Sequence, residues 1–221
     1  LVSGGHTLLL DVPAWGDYRL LGSTRDDASG EAFDKVAKLL GLPYPGGRPL
    51  EALAATGDRS QFRFARPMLR RDQRPGDADY FDVSFSGRKT AVLRAVRDSA
   101  DLPADAPHIA RAFQEALVDT LVEKTYRAAR DFERTRVVLG GGAARNRALQ
   151  QAMGRRLGDL GAALAGVSLD VQGAEHLAAR PAVIVFNHQS QLDVLVLAKL
   201  LRGGFTGVAK KELASMPGFG L

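Results

Sequence analysis

The chain has 221 residues, and 30 Lys and Arg against 25 Asp and Glu leave a net charge of +5 at pH 7. Apolar residues at 45% and charged residues at 25% are the balance of an ordinary globular protein, which excludes a disordered or collagen-like chain. With no Cys there are no disulfides, thiolate nucleophiles or Cys-type zinc sites, and no apolar run reaches the roughly 17–25 residues of a membrane-spanning helix.

The chain opens on Leu1-Val2-Ser3 without an initiator Met, as a fragment would. Leu1 to Asp11 reads as strand, turn (Ser3-Gly4-Gly5-His6-Thr7) and strand, the second strand running from Thr7 to Val12 into a Pro-Gly turn. From Asp26 the period becomes helical: Phe33, Val36, Ala37 and Leu40 form an apolar stripe, Asp27 and Ser29 are cap candidates, and Gly41 then Pro43 stop the helix. Tyr44 to Arg48 is a Pro-Gly turn, and Phe81 to Ser86 is predicted as a short strand. A long helix is expected over 108–132, with Ile109, Phe113, Ala116, Leu117 and Leu121 on one face. The β-branched run 136–139 predicts another strand, turned by Gly140-Gly141-Gly142 into a helix over 144–157. Beyond a Gly/Ala-rich stretch the expected elements are strands over 167–172 and 181–186 and an apolar helix over 192–201. These readings give an α/β chain with a boundary near residue 158, separating units 1–157 and 158–221.

Several groups of residues could carry chemistry. Two Gly-rich turns, Ser3 to Thr7 and Gly140 to Gly142, each follow a strand, and such turns suit a phosphate where backbone N–H groups meet a helix N-terminus. Asp27, Glu31, Asp34 and Lys38 lie opposite the apolar stripe. They form either a solvated face with an Asp34–Lys38 pair or a carboxylate site for ribose hydroxyls or a metal. Of the 30 basic residues 23 are Arg, and Arg63, Arg66, Arg70, Arg71 and Arg74 cluster against a single Asp72. That cluster is either a phosphate-gripping surface for tRNA or a solvated loop. In the second unit His188 and Asp193 follow an apolar strand; an Asp–His hydrogen bond would fix the imidazole tautomer and leave its other nitrogen as a general base. As an exposed helix cap, Asp193 would need no partner.

Six stretches occur in order: 2–7 (Val-Ser-Gly-Gly-His-Thr), 26–35, 41–47 (Gly-Leu-Pro-Tyr-Pro-Gly-Gly), 62–68, 84–90 (Ser-Phe-Ser-Gly-Arg-Lys-Thr) and 140–146. Over about residues 1–155 this run resembles the tRNA N6-adenosine threonylcarbamoyltransferase family, formerly called glycoprotease. The resemblance implies a partial actin/Hsp70/sugar-kinase-like fold and transfer of threonylcarbamoyl from its adenylate to N6 of the adenosine beside the anticodon. It implies that Leu1, Val2, Ser3, Gly4 and Gly5 hold the adenylate's phosphate and acyl part. Asp34 and Gly47 would contact the nucleoside or threonyl portion, and Asn146 the adenosine. Threonylcarbamoyl-adenylate, tRNA and the partner subunits of the threonylcarbamoyladenosine complex are the implied partners, in the cytoplasm. The family's iron or zinc is held by a His-x-x-x-His stretch and a Thr-Asp-Asn motif; neither occurs here, so this chain alone is expected to lack transferase activity. Arg88 also stands where the family motif usually has Leu.

Asn187-His188, Asp193, then 207–213 (Gly-Val-Ala-Lys-Lys-Glu-Leu) and 217–220 (Pro-Gly-Phe-Gly) resemble the glycerophospholipid acyltransferases, nearest to those acting on 1-acylglycerol-3-phosphate. That resemblance implies a fragment of an α/β glycerolipid acyltransferase domain over about 165–221. Its donor would be acyl-CoA or acyl-carrier protein, its acceptor a lysophosphatidate hydroxyl deprotonated by His188, and its setting the periphery of a membrane. The family's acceptor-binding Glu-Gly-Thr-Arg loop does not occur in the chain. A third reading is a non-catalytic nucleotide- or tRNA-binding fragment.

Overall fold

A computed structural model describes residues 1–164 apart from Trp15, Arg71 and Thr135; the side chains of 159–164 and the predicted strands and helix over 167–201 lie outside the described residues. Two strands, β1 (Leu8–Ala14) and β2 (Asp17–Ser23), form an antiparallel hairpin in the register Leu8 to Ser23 and Ala14 to Asp17, with irregularities at Leu9/Leu10 and Asp11/Ala14. Sequence periodicity finds β1 and misses β2. Tyr18 and Leu20 are 56% and 61% exposed, so β2 has no buried face to impose an alternation. Arg134 anchors the hairpin to the end of the long helix by two hydrogen bonds, 2.6 and 3.1 Å, to the buried Asp11 carboxylate. That guanidinium holds the Asp11 carboxyl below its usual value.

Among the described residues five α-helices follow: α1 (Ser29–Leu39), α2 (Gly47–Ala55), α3 (Ser86–Asp98), α4 (Leu102–Asp131) and α5 (Arg147–Leu164). Of the expected stripe on α1, Phe33, Val36 and Ala37 are buried, joined by Ala32, while Leu40 is the half-buried C-cap just past the helix. Neither Asp27 nor Ser29 caps it. The cap position is Ala28, whose N–H donates to Glu31 Oε2 at 3.3 Å, and Ser29 N–H is drawn to Thr7 Oγ1 at 2.8 Å. Helix α4 starts at Leu102 rather than 108, because Asp101 caps Ala104 N–H and Pro103 sits in the first turn, where no N–H is required. Its Ile109, Phe113, Ala116 and Leu117 meet Phe33 and Val36 of α1, Leu50 of α2, Phe85, Val92 of α3, and Leu149 and Met153 of α5 in one core. Phe33 and Phe113 pack edge to face with centroids 5.6 Å apart.

The strand expected over 81–86 is reduced to one parallel bridge between Thr24 and Val83. Asp26 converts the following residues into α3: its carboxylate accepts from Phe85 N–H at 2.7 Å and Ser86 N–H at 3.1 Å, as well as from both serine hydroxyls. No strand forms over 136–139 either. Val138 is 91% exposed, and a β-branched run without a neighbouring ladder gains little from extension. Helix α5 continues through residue 158 to Leu164.

Among the described residues two cations lie in the interior. Arg88, 1% exposed, donates to Ser84 O at 2.9 Å, Ala65 O at 3.3 Å and Thr120 Oγ1, with its guanidinium over the Phe85 ring. Burial pulls its pKa down to about 10. Lys124, also 1% exposed, donates to Tyr80 O at 2.6 Å and Asp79 O at 2.8 Å; burial, with Arg127 beside it, lowers its pKa to about 8.

Candidate functional site

The two Gly-rich turns are in contact. Val2 N–H donates to Gly140 O at 2.8 Å, and Ala143 N–H donates back to Val2 O at 3.1 Å. Gly141 makes this approach possible: its φ is +105°, and a Cβ there would lie 2.2 Å from Val2 O. The first turn closes on itself through Ser3 N–H to His6 O at 2.8 Å and His6 N–H to Ser3 Oγ at 3.0 Å. It then docks on the start of α1, where Gly30 N–H reaches Ser3 O at 3.0 Å and Ser29 N–H reaches Thr7 Oγ1. The first α1 donors are therefore engaged by the turn itself. Gly4 and Gly5 are exposed, and a Cβ on either would meet nothing within 4 Å, so their backbone faces open space. The glycines crowded where these turns meet their neighbours are Gly30 and Gly141, which no single-sequence pattern separates from the glycines beside them.

A cleft of about 480 Å³ opens beside the first turn, lined by Gly4, Glu31, Asp34, Lys35, Lys38 and the 42–44 segment. The expected Asp34–Lys38 pair does not form. Asp34 instead accepts Gly46 N–H at 2.8 Å through Oδ1, because the 44–46 turn folds back over α1. Lys35 is the cation engaged by carboxylates, at 2.6 Å from Asp27 and 2.8 Å from Glu31. The Asp27 and Glu31 carboxylates raise the Lys35 pKa, and the Lys35 ammonium with the Ala28 N–H lowers that of Glu31. Asp27 Oδ2 is buried without a hydrogen-bond partner among the described residues. Gly47 is the first residue of α2, and with Asp34 it frames the 42–47 turn.

Asn146 is buried, 7% exposed, between the second glycine turn and α5. Its Oδ1 caps Leu149 N–H at 2.9 Å and its Nδ2 donates to Gln114 Oε1 at 2.8 Å. Both ends of its amide thus organise the helix start. Glu51 of α2 completes that end by accepting Arg147 N–H at 2.6 Å.

The Arg cluster is partly neutralised by acids, one of them distant in sequence. Arg66 binds Asp119 of α4 at 2.5 and 2.8 Å, and Arg70 binds Asp79 at 3.0 Å and Asp72 at 3.5 Å. Arg63 and Arg74 are exposed, with no carboxylate partner among the described residues. Arg71, His188 and Asp193 lie outside the described residues. Sequence reading passed over Tyr44, which lines the cleft, and Lys124, which secures the backbone beneath the Arg-rich loop. The first could have been found from its place between two prolines; the second, a lysine on a helix, carries no local signal.

Among the described residues no three His, Asp or Glu side chains are grouped as a metal site. The carboxylates nearest the cleft are already tied to Lys35 and Gly46 N–H. The iron or zinc that the resemblance implies has no fitting ligand set there, and no chemical step is assigned to it. No helix among the described residues is long and apolar enough to cross a membrane.

Comparison with known proteins agrees with this arrangement of motifs. The model of the tRNA N6-adenosine threonylcarbamoyltransferase family matches residues 1–167, and a model described as acyltransferase matches 168–221. A tRNA N6-adenosine threonylcarbamoyltransferase from Gemmatimonas aurantiaca is 53% identical over 224 aligned residues, covering 98% of this chain and 59% of the relative. That alignment continues past residue 167 into the stretch that the acyltransferase model also matches. The chain thus spans less than two thirds of the relative's length. With its family model matched over residues 1–167 of 221, this chain belongs to the tRNA N6-adenosine threonylcarbamoyltransferase family.

Proposed function

We propose that residues 1–157 form the adenylate-binding part of an enzyme that transfers threonylcarbamoyl to N6 of the adenosine beside the tRNA anticodon, on a partial actin/Hsp70/sugar-kinase-like fold. One observation carries the reading: two glycine turns are joined through Val2, and the first of them opens at Gly4 on a charged cleft that includes Asp34. The backbone of Leu1 to Gly5 holds the phosphate and acyl portion of threonylcarbamoyl-adenylate, its open Gly4-Gly5 segment offering N–H donors without side-chain obstruction. Asp34, with Oδ1 fixed on Gly46 N–H, presents its other oxygen to a ribose or threonyl hydroxyl, and Gly47, uncrowded at the start of α2, contacts the nucleoside or threonyl portion. Asn146 sets the second turn against α5 near the adenosine. The exposed Arg63 and Arg74, together with Arg66, Arg70 and Arg71 of the same stretch of sequence, supply the phosphate contacts for tRNA. Partner subunits of the threonylcarbamoyladenosine complex complete the activity in the cytoplasm. Threonylcarbamoyl-adenylate or ATP is expected to raise the melting temperature, and Asp34→Ala to abolish the rise. A flat response of the wild-type chain at millimolar nucleotide would remove the reading.

A second reading applies to residues 158–221, where the match to the acyltransferase model supports it. There His188 acts as general base on a lysophosphatidate hydroxyl, Asp193 orients its imidazole, and acyl-CoA or acyl-carrier protein supplies the acyl group at a membrane surface. Release of CoA that disappears in His188→Ala tests it; release that persists in the variant contradicts it.

A further inference from the structure

We infer that Tyr44 is the aromatic wall against which the planar base of a bound nucleotide stacks, which makes it a specificity-determining residue of the cleft. The inference rests on the nucleotide reading above and adds to it the recognition of the base. Tyr44 is 84% exposed, yet it lines the cleft. The rest of the lining divides sharply: Glu31, Asp34, Lys35 and Lys38 are charged, Gly4 is bare backbone, and only Leu42, Pro43 and Tyr44 offer apolar surface. A volume of about 480 Å³ falls within the range of small-molecule sites.

The turn that carries the ring is anchored. Asp34 Oδ1 holds Gly46 N–H at 2.8 Å, and Gly46 lies so close to α1 that a Cβ there would stand 2.3 Å from the Ala37 Cβ. Pro43 and Pro45 flank Tyr44 and restrict the backbone on both sides. The backbone that carries the ring is thus restrained while the ring keeps a free face, which limits the entropy lost to side-chain rotation when a flat ligand settles on it.

Charge then selects what kind of flat ligand. Lys35 is bound by Asp27 and Glu31, whereas Lys38 is exposed and has no carboxylate partner among the described residues. Lys38 and the Gly4 backbone offer positive potential at the cleft, while Tyr44 offers a π face. A planar heteroaromatic ring joined to an anionic group satisfies both, and a nucleotide base with its phosphate is that combination.

Calorimetric titration of the 221-residue chain with AMP and with ribose 5-phosphate separates the base from the rest of the ligand. Tyr44→Ala is expected to weaken AMP about ten- to a hundredfold, the usual loss for one stacked base. Tyr44→Phe, which keeps the ring, should stay within about threefold of wild type. Ribose 5-phosphate, lacking the base, should bind wild type and Tyr44→Ala alike. Because the side chain is exposed, the melting temperature of each variant should match wild type. If wild type binds AMP and Tyr44→Ala binds it equally well, or if both ligands weaken together, stacking on Tyr44 is refuted while the nucleotide reading stands. If wild type binds no AMP at all, both fail.

Discussion

Replacing Lys124 with Met isolates the consequence of burying an ammonium that no carboxylate touches. In the folded chain its acceptors are the carbonyls of Asp79 and Tyr80, with Gln73 Oε1 at 3.5 Å, while Arg127 and Arg70 oppose its charge and Asp79 and Asp82 favour it from further away. Burial brings the pKa down from 10.5 to about 8, and at about 1.36 kcal/mol per unit the cost of keeping the proton is on the order of 3 kcal/mol. The sign follows from proton counting. Between pH 8 and 10.5 the unfolded chain holds the proton and the folded chain has lost it, so stability rises with pH through that window. Below pH 8 the cost is present in full. Lys124→Met removes it at every pH but leaves two carbonyls without their donor, at roughly 1–3 kcal/mol each. At pH 7 these effects oppose each other and the variant should lie within about 2 kcal/mol of wild type. By pH 10 it should have fallen behind wild type by a further 2–3 kcal/mol or so. Urea unfolding at pH 7, 8, 9 and 10 measures the difference. Tyr80 and Arg130 titrate in both proteins and cancel to first order. Parallel stability profiles for the two proteins would refute the argument.

Gly141→Ala places a methyl group 2.2 Å from Val2 O at a φ of +105°, so the two turns must separate; a stability loss above about 2 kcal/mol and loss of the nucleotide-induced thermal shift are expected, and an unchanged melting temperature would contradict the contact. Asn146→Ala removes the α5 cap and leaves Gln114 Oε1 without its donor, at about 1–3 kcal/mol by urea denaturation. Asn146→Asp retains the capping oxygen but not the donor to Gln114 Oε1, so it should recover only the cap's share of that loss; equal losses in the two variants would show that the cap contributes little.

Local pattern made some of this structure legible and not the rest, and the division has a physical cause. Helix α1 and the centre of α4 bury continuous stripes, so Phe33, Val36, Ile109 and Phe113 announce themselves. Helix α3 does not, because one of its two fully inward positions is Arg88 rather than an aliphatic residue, and its first turn is fixed by Asp26 from some sixty residues away. The glycine turns were recognisable as turns, but their contact depends on Val2 meeting Gly140 and Ala143 across the whole chain. Asp34 illustrates the same limit. Its spacing to Lys38 is ideal for a helical ion pair, yet a backbone N–H delivered by the 44–46 turn supplies the partner it takes. Spacing gives the available partners along one element and is silent about those that tertiary folding brings.

The segment between α2 and α3 shows how those distant partners replace regular structure. Among the described residues of 56–85 there is no helix or strand beyond the Val83 bridge, a length at which a connection would ordinarily be loose. Here its backbone carbonyls are answered by side chains from below: Arg88 takes Ala65 and Ser84, and Lys124 takes Asp79 and Tyr80. Arg127 adds Gln73 at 2.8 Å, and Arg66 closes on Asp119. Cations beneath the loop satisfy its polar backbone, which leaves Arg63 and Arg74 to face solvent rather than fold inward. Helix α4 provides most of these anchors on one side and packs Ile109, Phe113 and Leu117 into the core shared with α1 on the other. The arginine surface and the α1 cleft therefore rest on one shared core through α4. A perturbation such as Lys124→Met, which acts on the loop side, should for that reason alter the protection of 66–80 in hydrogen exchange without disturbing the glycine turns.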